Sequence, residues 1–172
     1  MFNFGFNGCI RVLLLGILSG LLLNCSRILT PDQTTEVTEV RAGQYVLDPN
    51  HASLIWKLNH LGFSTFIGTF NDFEASLDFD PEDIENASLE VVISTSSLDV
   101  DIPEFEEELR GDNWFDVGVY PQAVYRTTSF LESIDEDTFL FAGDLTLLGT
   151  TAPVNLEVNF HGGGRNFLTR SY

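Results

Sequence analysis

The chain has 172 residues, 44% of them hydrophobic, with 26 acidic and 8 basic side chains and a formal net charge of −18 at pH 7. Fifteen phenylalanines exclude a disordered chain despite that charge. All 26 acids fall between Asp32 and Glu157, against four basic residues in that span, and such a surface repels phosphate backbones and excludes a nucleic-acid partner.

The first element is a leader. Arg11 precedes the apolar run VLLLGILSGLLL (12–23). A positive flank before a short apolar run is the pattern of a secretory signal. The run is too short for a transmembrane helix, which takes about 20 apolar residues. It ends Leu22-Leu23-Asn24-Cys25, which resembles a bacterial lipoprotein signal. Residues 1–24 are therefore expected to be the signal peptide, and Cys25 the site of lipidation. Both cysteines, Cys9 and Cys25, lie in this region, so the folded part has no disulfide and no cysteine-ligated metal site. Residues 25–43 are polar, without an apolar period, and read as a flexible tether.

From Gln44 the apolar period is two. Leu54, Trp56 and Leu58 alternate with Ser53, Ile55 and Lys57. Ala75, Leu77 and Phe79 alternate with Glu74, Ser76 and Asp78. Leu89, Val91 and Ile93 share a face, as do Phe139, Phe141, Leu145 and Leu147, and again Val154, Leu156, Val158 and Phe160. Turn-forming clusters such as Asp48-Pro49-Asn50 and Asp80-Pro81-Glu82 separate these runs. Many short alternating strands predict an antiparallel sandwich or barrel with one apolar face. One short helix interrupts them near residues 102–111. Asp101 is expected to cap it, Pro103 to open it and Gly111 to close it, with Phe105 and Leu109 on one face. The domain is expected to span residues 44–160, and residues 161–172 to form an irregular tail.

No catalytic constellation stands out. His51 and His60 are nine residues apart, roughly 30 Å along one strand, too far to share a metal without a bend. The third histidine is His161. Paired acids are abundant, but no pair is singled out for glycoside chemistry, and Asp99 to Asp101 lacks the rest of a calcium loop. The reading is therefore non-enzymatic, with no catalytic residue and no metal. Aromatic residues are the informative class. Barrels of about eight strands either fill with side chains or hold one small ligand. Excess rigid apolar surface with few polar groups suits a long hydrocarbon. The candidate ligand-binding residues are Trp56, Phe66, Phe70, Phe79 and Phe141. A packed barrel with an acidic surface for a basic partner is the alternative.

Several blocks in order resemble the YceI-like family. They are Tyr45-Val46-Leu47-Asp48-Pro49-Asn50-His51, Asn59-His60-Leu61-Gly62-Phe63 and Ile67-Gly68-Thr69-Phe70-Asn71-Asp72-Phe73. Ser97-Leu98-Asp99, the run from Leu109 to Asp116, Tyr120-Pro121 and the run from Gly143 to Val154 follow. The resemblance implies a lipocalin-like antiparallel barrel in the bacterial periplasm or cell envelope. It implies a bound polyisoprenoid or isoprenoid quinone rather than a cofactor. The expected partners are that lipid, a membrane reached through the lipid anchor at Cys25, and a second copy in a homodimer. The family normally continues past the Pro153-Val154 strand with an Arg-Asp-Phe-Gly-like segment. The barrel is therefore expected to lack its last strand or strands.

Overall fold

A computed structural model of the chain describes residues 33–165. The signal, Cys25 and the first part of the proposed tether, to residue 32, lie outside the described residues. The strands, in chain order, are β1 (Gln33–Thr34), β2 (Gly43–Val46), β3 (Leu54–His60), β4 (Ser64–Phe70), β5 (Phe73–Phe79), β6 (Ser88–Ser94) and β7 (Leu98–Asp99). The helix α1 (Pro103–Arg110) comes next, then β8 (Gln122–Ser133), β9 (Thr138–Leu147), β10 (Thr150–Pro153), β11 (Leu156–Asn159) and β12 (Gly163–Gly164). Thr35–Gly162 form one compact unit. β1 and β12 belong to another, in which they pair antiparallel.

The main unit contains two antiparallel sheets. The larger runs β10-β9-β8-β6-β5-β2, and β11 also pairs with β9. β10 takes the Asp144–Leu147 half of β9 and β11 the Thr138–Phe141 half, so the two follow one another along the same flank. The smaller sheet is β3-β4-β7. Alternation sets which face each strand buries. On β5 and β6, the pairs Phe73↔Ile93, Ala75↔Val91 and Leu77↔Leu89 stand on the inner face. Glu74, Ser76 and Asp78 stand exposed on the outer one. These are the antiparallel strands, with one helix, that the sequence predicts.

Both sheets share a core. Phe70 from β4 and Leu98 from β7 meet Ile93 from β6 and Ala123 from β8, together with Val100 and Leu109. A second cluster, Val37, Phe139 and Phe141, gathers Phe79, Phe130, Val158 and Phe160. The segment expected to be a polar tether therefore supplies interior residues, with Val37 and Val40 both buried. Two apolar side chains three apart are too few to register as a period, yet they suffice for a 3-10 turn (Val37–Glu39) to dock. Val154 departs from its predicted face. It lies 40% exposed at the break between β10 and β11.

The chain changes sheet between β6 and β7, at Thr95–Ser97. Thr95 is fully buried, its hydroxyl donates to the Tyr120 carbonyl (2.7 Å), and its N–H donates to the Pro121 carbonyl (3.0 Å). The Ser97 hydroxyl donates to the Ser94 carbonyl (2.7 Å) and accepts from the Asp72 N–H (3.0 Å). The Asn71 N–H donates to the Ser97 carbonyl (3.1 Å). The β4–β5 turn and the β6–β7 corner thus hold one another. Thr95→Val keeps the shape but strips the buried Tyr120 carbonyl of its hydroxyl partner. It is expected to cost about 1–3 kcal/mol in urea unfolding, with the exposed Thr128→Val near zero.

Candidate functional site

The β3–β4 hairpin sets the inner wall. Its register pairs Leu54 with Phe70, Trp56 with Gly68 and Leu58 with Phe66. The Trp56 indole lies across Gly68, where any Cβ would overlap the ring and press on Val100. The glycine is required by this close approach, not by its backbone angles. Trp56 and Phe66 meet as a tilted pair at 5.8 Å between centroids and 45° between planes, and Phe66 and Phe105 from α1 meet edge to face at 6.0 Å. Phe105 meets Trp114 at 6.4 Å, and Phe70 meets Phe115 at 5.7 Å. Trp114, Phe105, Phe66 and Trp56 form one run from the half-exposed Trp114 to the interior, with the Phe70–Phe115 pair in the same core. The Trp56 Nε1–H is buried with no acceptor among the described residues.

Of the five candidate aromatics, Trp56, Phe66 and Phe70 belong to this assembly. Phe79 and Phe141 sit in the second cluster, where Phe141 meets Phe130 at 5.4 Å. Between the two clusters Ala75, Leu77, Leu89 and Leu145 belong to neither and are only partly buried. Phe73 to Phe79 spans six residues, about 20 Å of strand. The inner face of the large sheet is thus an apolar floor with a ring cluster at each end. Phe105 and Phe115 were absent from the sequence candidates. The helical pair Phe105 and Leu109 was the signal available for the first; Phe115 lies in irregular chain, where no period marks a face.

A polar clamp fixes α1. The Arg110 Nε donates to the Ser96 carbonyl (3.0 Å) and its Nη2 to the Leu98 carbonyl (2.6 Å). Nη2 also reaches Glu106 Oε2 at 3.3 Å, while Glu106 Oε1 accepts from the Val100 N–H (3.0 Å). Asp101 does not cap the helix as predicted. Ile102 holds that position without a side-chain cap, and Asp101 takes a left-handed φ of 60°. Gly111 ends the helix in extended rather than left-handed backbone. Asp99 instead organises the approach, accepting from the Asp101 N–H (3.0 Å) and the Asn71 amide (2.9 Å). These hydrogen bonds, the Asp101 one foremost, hold its carboxyl below the usual 3.8.

The histidines lie apart from the interior. His51 Nδ1 is 2.8 Å from Asp48 Oδ2 on an exposed turn, and His60 is exposed at the hairpin end. A recess of about 530 Å³ beside β2 is lined by Val46 and Val92 but also by Glu74 and Glu90, so charge edges it. Among the described residues no helix is long and apolar enough to cross a membrane.

The strand order, the inner apolar face and the helix across it define a lipocalin-like antiparallel domain of the barrel type. The sequence matches the YceI-like domain over residues 45–170, and the chain belongs to that family. A UPF0312 protein of Vibrio parahaemolyticus is 34% identical over 128 residues, which are 73% of this chain and 67% of that protein. One of Shewanella denitrificans is 34% identical over 131 residues, 75% of this chain and 68% of its own. The matched region is thus about two thirds of these relatives' length. The Campylobacter jejuni YceI protein superposes with a TM-score of 0.51 at 30% identity, covering 66% of each chain. Burkholderia cenocepacia BcnA superposes at 0.59 with 23% identity, covering 65% of this chain and 69% of its own, a likeness of fold.

Gly68→Ala is expected to displace the Trp56 indole and lower stability by about 1–3 kcal/mol, read by denaturation and by the tryptophan emission. The Asp99 carboxyl has its own pH signature. Because its folded value lies below 3.8, its contribution is complete above that pH and drains as pH falls through the lower folded value. Carboxyl NMR titration is expected to place its midpoint below 3.8, and Asn71→Ala to raise that midpoint.

Proposed function

We propose that the chain holds a long apolar lipid, a polyisoprenoid or isoprenoid quinone, against the inner face of the large sheet. It does so as a carrier or reservoir in the periplasm or cell envelope of a bacterium. No reaction is part of this reading. The observation that carries it is the apolar floor between the two ring clusters, where Ala75, Leu77, Leu89 and Leu145 keep accessible surface. A face of this kind gains free energy when covered, at about 25 cal/mol per Å² of apolar area removed from water. The floor's length suits a chain-like guest more than a compact one. Rigid rings at both ends favour burial by area, with little conformational entropy lost in the protein. The buried Trp56 N–H offers a donor to an oxygen at one end of such a guest. Family membership agrees, since the YceI-like resemblance implies a polyisoprenoid ligand. A lipid anchor at Cys25 would hold the domain at a membrane.

Native purification followed by organic extraction and mass spectrometry tests the reading. A stoichiometric isoprenoid species is the expected result. A clean extract from folded, monodisperse protein would move the weight to an interaction module that uses its acidic outer face. The double change Trp56→Asp with Phe66→Asp is expected to remove the lipid from the extract while circular dichroism still reports a β-sheet protein. Undiminished retention would sink the interior site.

A further inference from the structure

The tip of the β3–β4 hairpin is built unlike the rest of the surface. Phe63 is 91% and Leu61 79% exposed, and Leu58 just behind them is 56% exposed. Exposed apolar groups clustered in this way mark contact sites rather than ordinary surface. The turn runs His60 to Phe63, closed by the Phe63 N–H on the His60 carbonyl (3.0 Å). Its two central residues, Leu61 and Gly62, have φ of 55° and 77°. Glycine takes that region freely, and Asn or Asp is the usual companion in a tight hairpin turn. A leucine there is strained and is also badly hydrated. Asn59 compensates by accepting from the Gly62 N–H (2.6 Å). A strained position that exposes a large apolar side chain is better explained by contact than by folding.

The charge pattern says what the contact is. Residues 49–71 contain no Asp or Glu in a chain with 26 of them. This is the longest acid-free stretch between the first and last carboxylates. It includes the whole hairpin and carries Lys57 and His60, both exposed. Everywhere else the field of an acidic protein opposes approach to anionic headgroups. We infer that the hairpin tip is a bilayer-docking element, with Leu61 and Phe63 inserted at the headgroup–acyl boundary of an anionic phospholipid membrane. The geometry favours a bilayer over a second copy of the chain. A stable protein interface takes about 800 Å² from each partner, more than a two-side-chain turn supplies. Interfacial insertion of about 5–10 Å needs no such area. The docking holds whatever the interior contains. The Leu58–Phe66 pair behind the tip leads on to Trp56, and its use as a loading path rests on the lipid-holding reading.

The test uses the full chain with Phe63→Trp, and Val46→Trp as a control at another exposed site (84%). Vesicles of phosphatidylethanolamine and phosphatidylglycerol carry a bromine near the glycerol end of the acyl chains. After subtraction of the unmodified chain, which supplies the Trp56 and Trp114 background, the Phe63→Trp emission is expected to shift to the blue and be quenched. The Val46→Trp emission is expected to do neither, and adding Leu61→Asp to Phe63→Trp to abolish the effect. Aspartate is well tolerated at positive φ, so this last variant keeps the turn. An unquenched Phe63→Trp signal from chain that cosediments with the vesicles overturns the inference, as does failure of the chain to bind them. A blue shift that needs no vesicles and follows protein concentration overturns it in favour of a second copy. Lipid in the purified protein is read separately by extraction, so failure at the tip leaves the interior reading standing.

Discussion

The structure depends on the corner at Thr95–Ser97. A twisted sheet can bury its apolar face only if another layer covers it, and here one chain must supply both layers. It leaves the large sheet at Ser94 and joins the small one at Leu98 within three residues. Among the described residues Leu98 is the most buried large side chain, 1% exposed, directly after the corner. Backbone groups at such a crossing lose their ladder partners and must find others. Thr95, Ser97, Asn71 and Asp72 provide them, so the β4–β5 turn crosses beside the β6–β7 corner. Everything that faces the interior is positioned from this point. That includes the helix, because Arg110 binds the Ser96 carbonyl within the corner and the Leu98 carbonyl just after it.

Aromatic packing inside follows a second constraint, in which large rings are accommodated by missing Cβ atoms. Trp56 lies over Gly68 directly across the strand pair. Tyr125 covers Gly143 diagonally across β8 and β9, with its hydroxyl donating to the Val154 carbonyl at 3.3 Å. Burial with the Asp144 charge nearby pushes the Tyr125 phenol above its ordinary 10.0, so it stays neutral and acts as a donor. Among the described residues, the Trp56 Nε1–H is the one buried side-chain donor without an acceptor.

Charge is distributed to match. Acids occupy the outer face of β5, the loops and the exposed side of α1, a surface of one sign that repels other anionic surfaces. The β3–β4 hairpin interrupts that distribution, and it is also the element whose inner face begins the aromatic run. Under the proposed lipid-holding function, this is the approach to a membrane that the chain's own charge does not oppose. Both properties meet in this hairpin because strand alternation gives it an apolar inner face and a tip belonging to neither face.

The sequence by itself determined the class of fold and the face of most strands. Period-two alternation is local, and burial follows it on β5 and β11. The ordered blocks from Tyr45 to Val154 were enough to indicate the family. Short or irregular stretches were not legible. Val37 and Val40 are too few to show a period, Phe115 sits in none, and the capping role expected of Asp101 yields to a local φ that residue type does not reveal. Only the tertiary structure decided how the five candidate aromatics divide. Trp56, Phe66 and Phe70 join Phe105 and Phe115 at one end, and Phe79 and Phe141 lie in the other cluster. The reason is physical. Alternation tells which side of a strand a residue takes. Which strands share that side, and in what register, is set by hydrogen bonds between residues far apart in the chain, such as those that turn it at Thr95–Ser97.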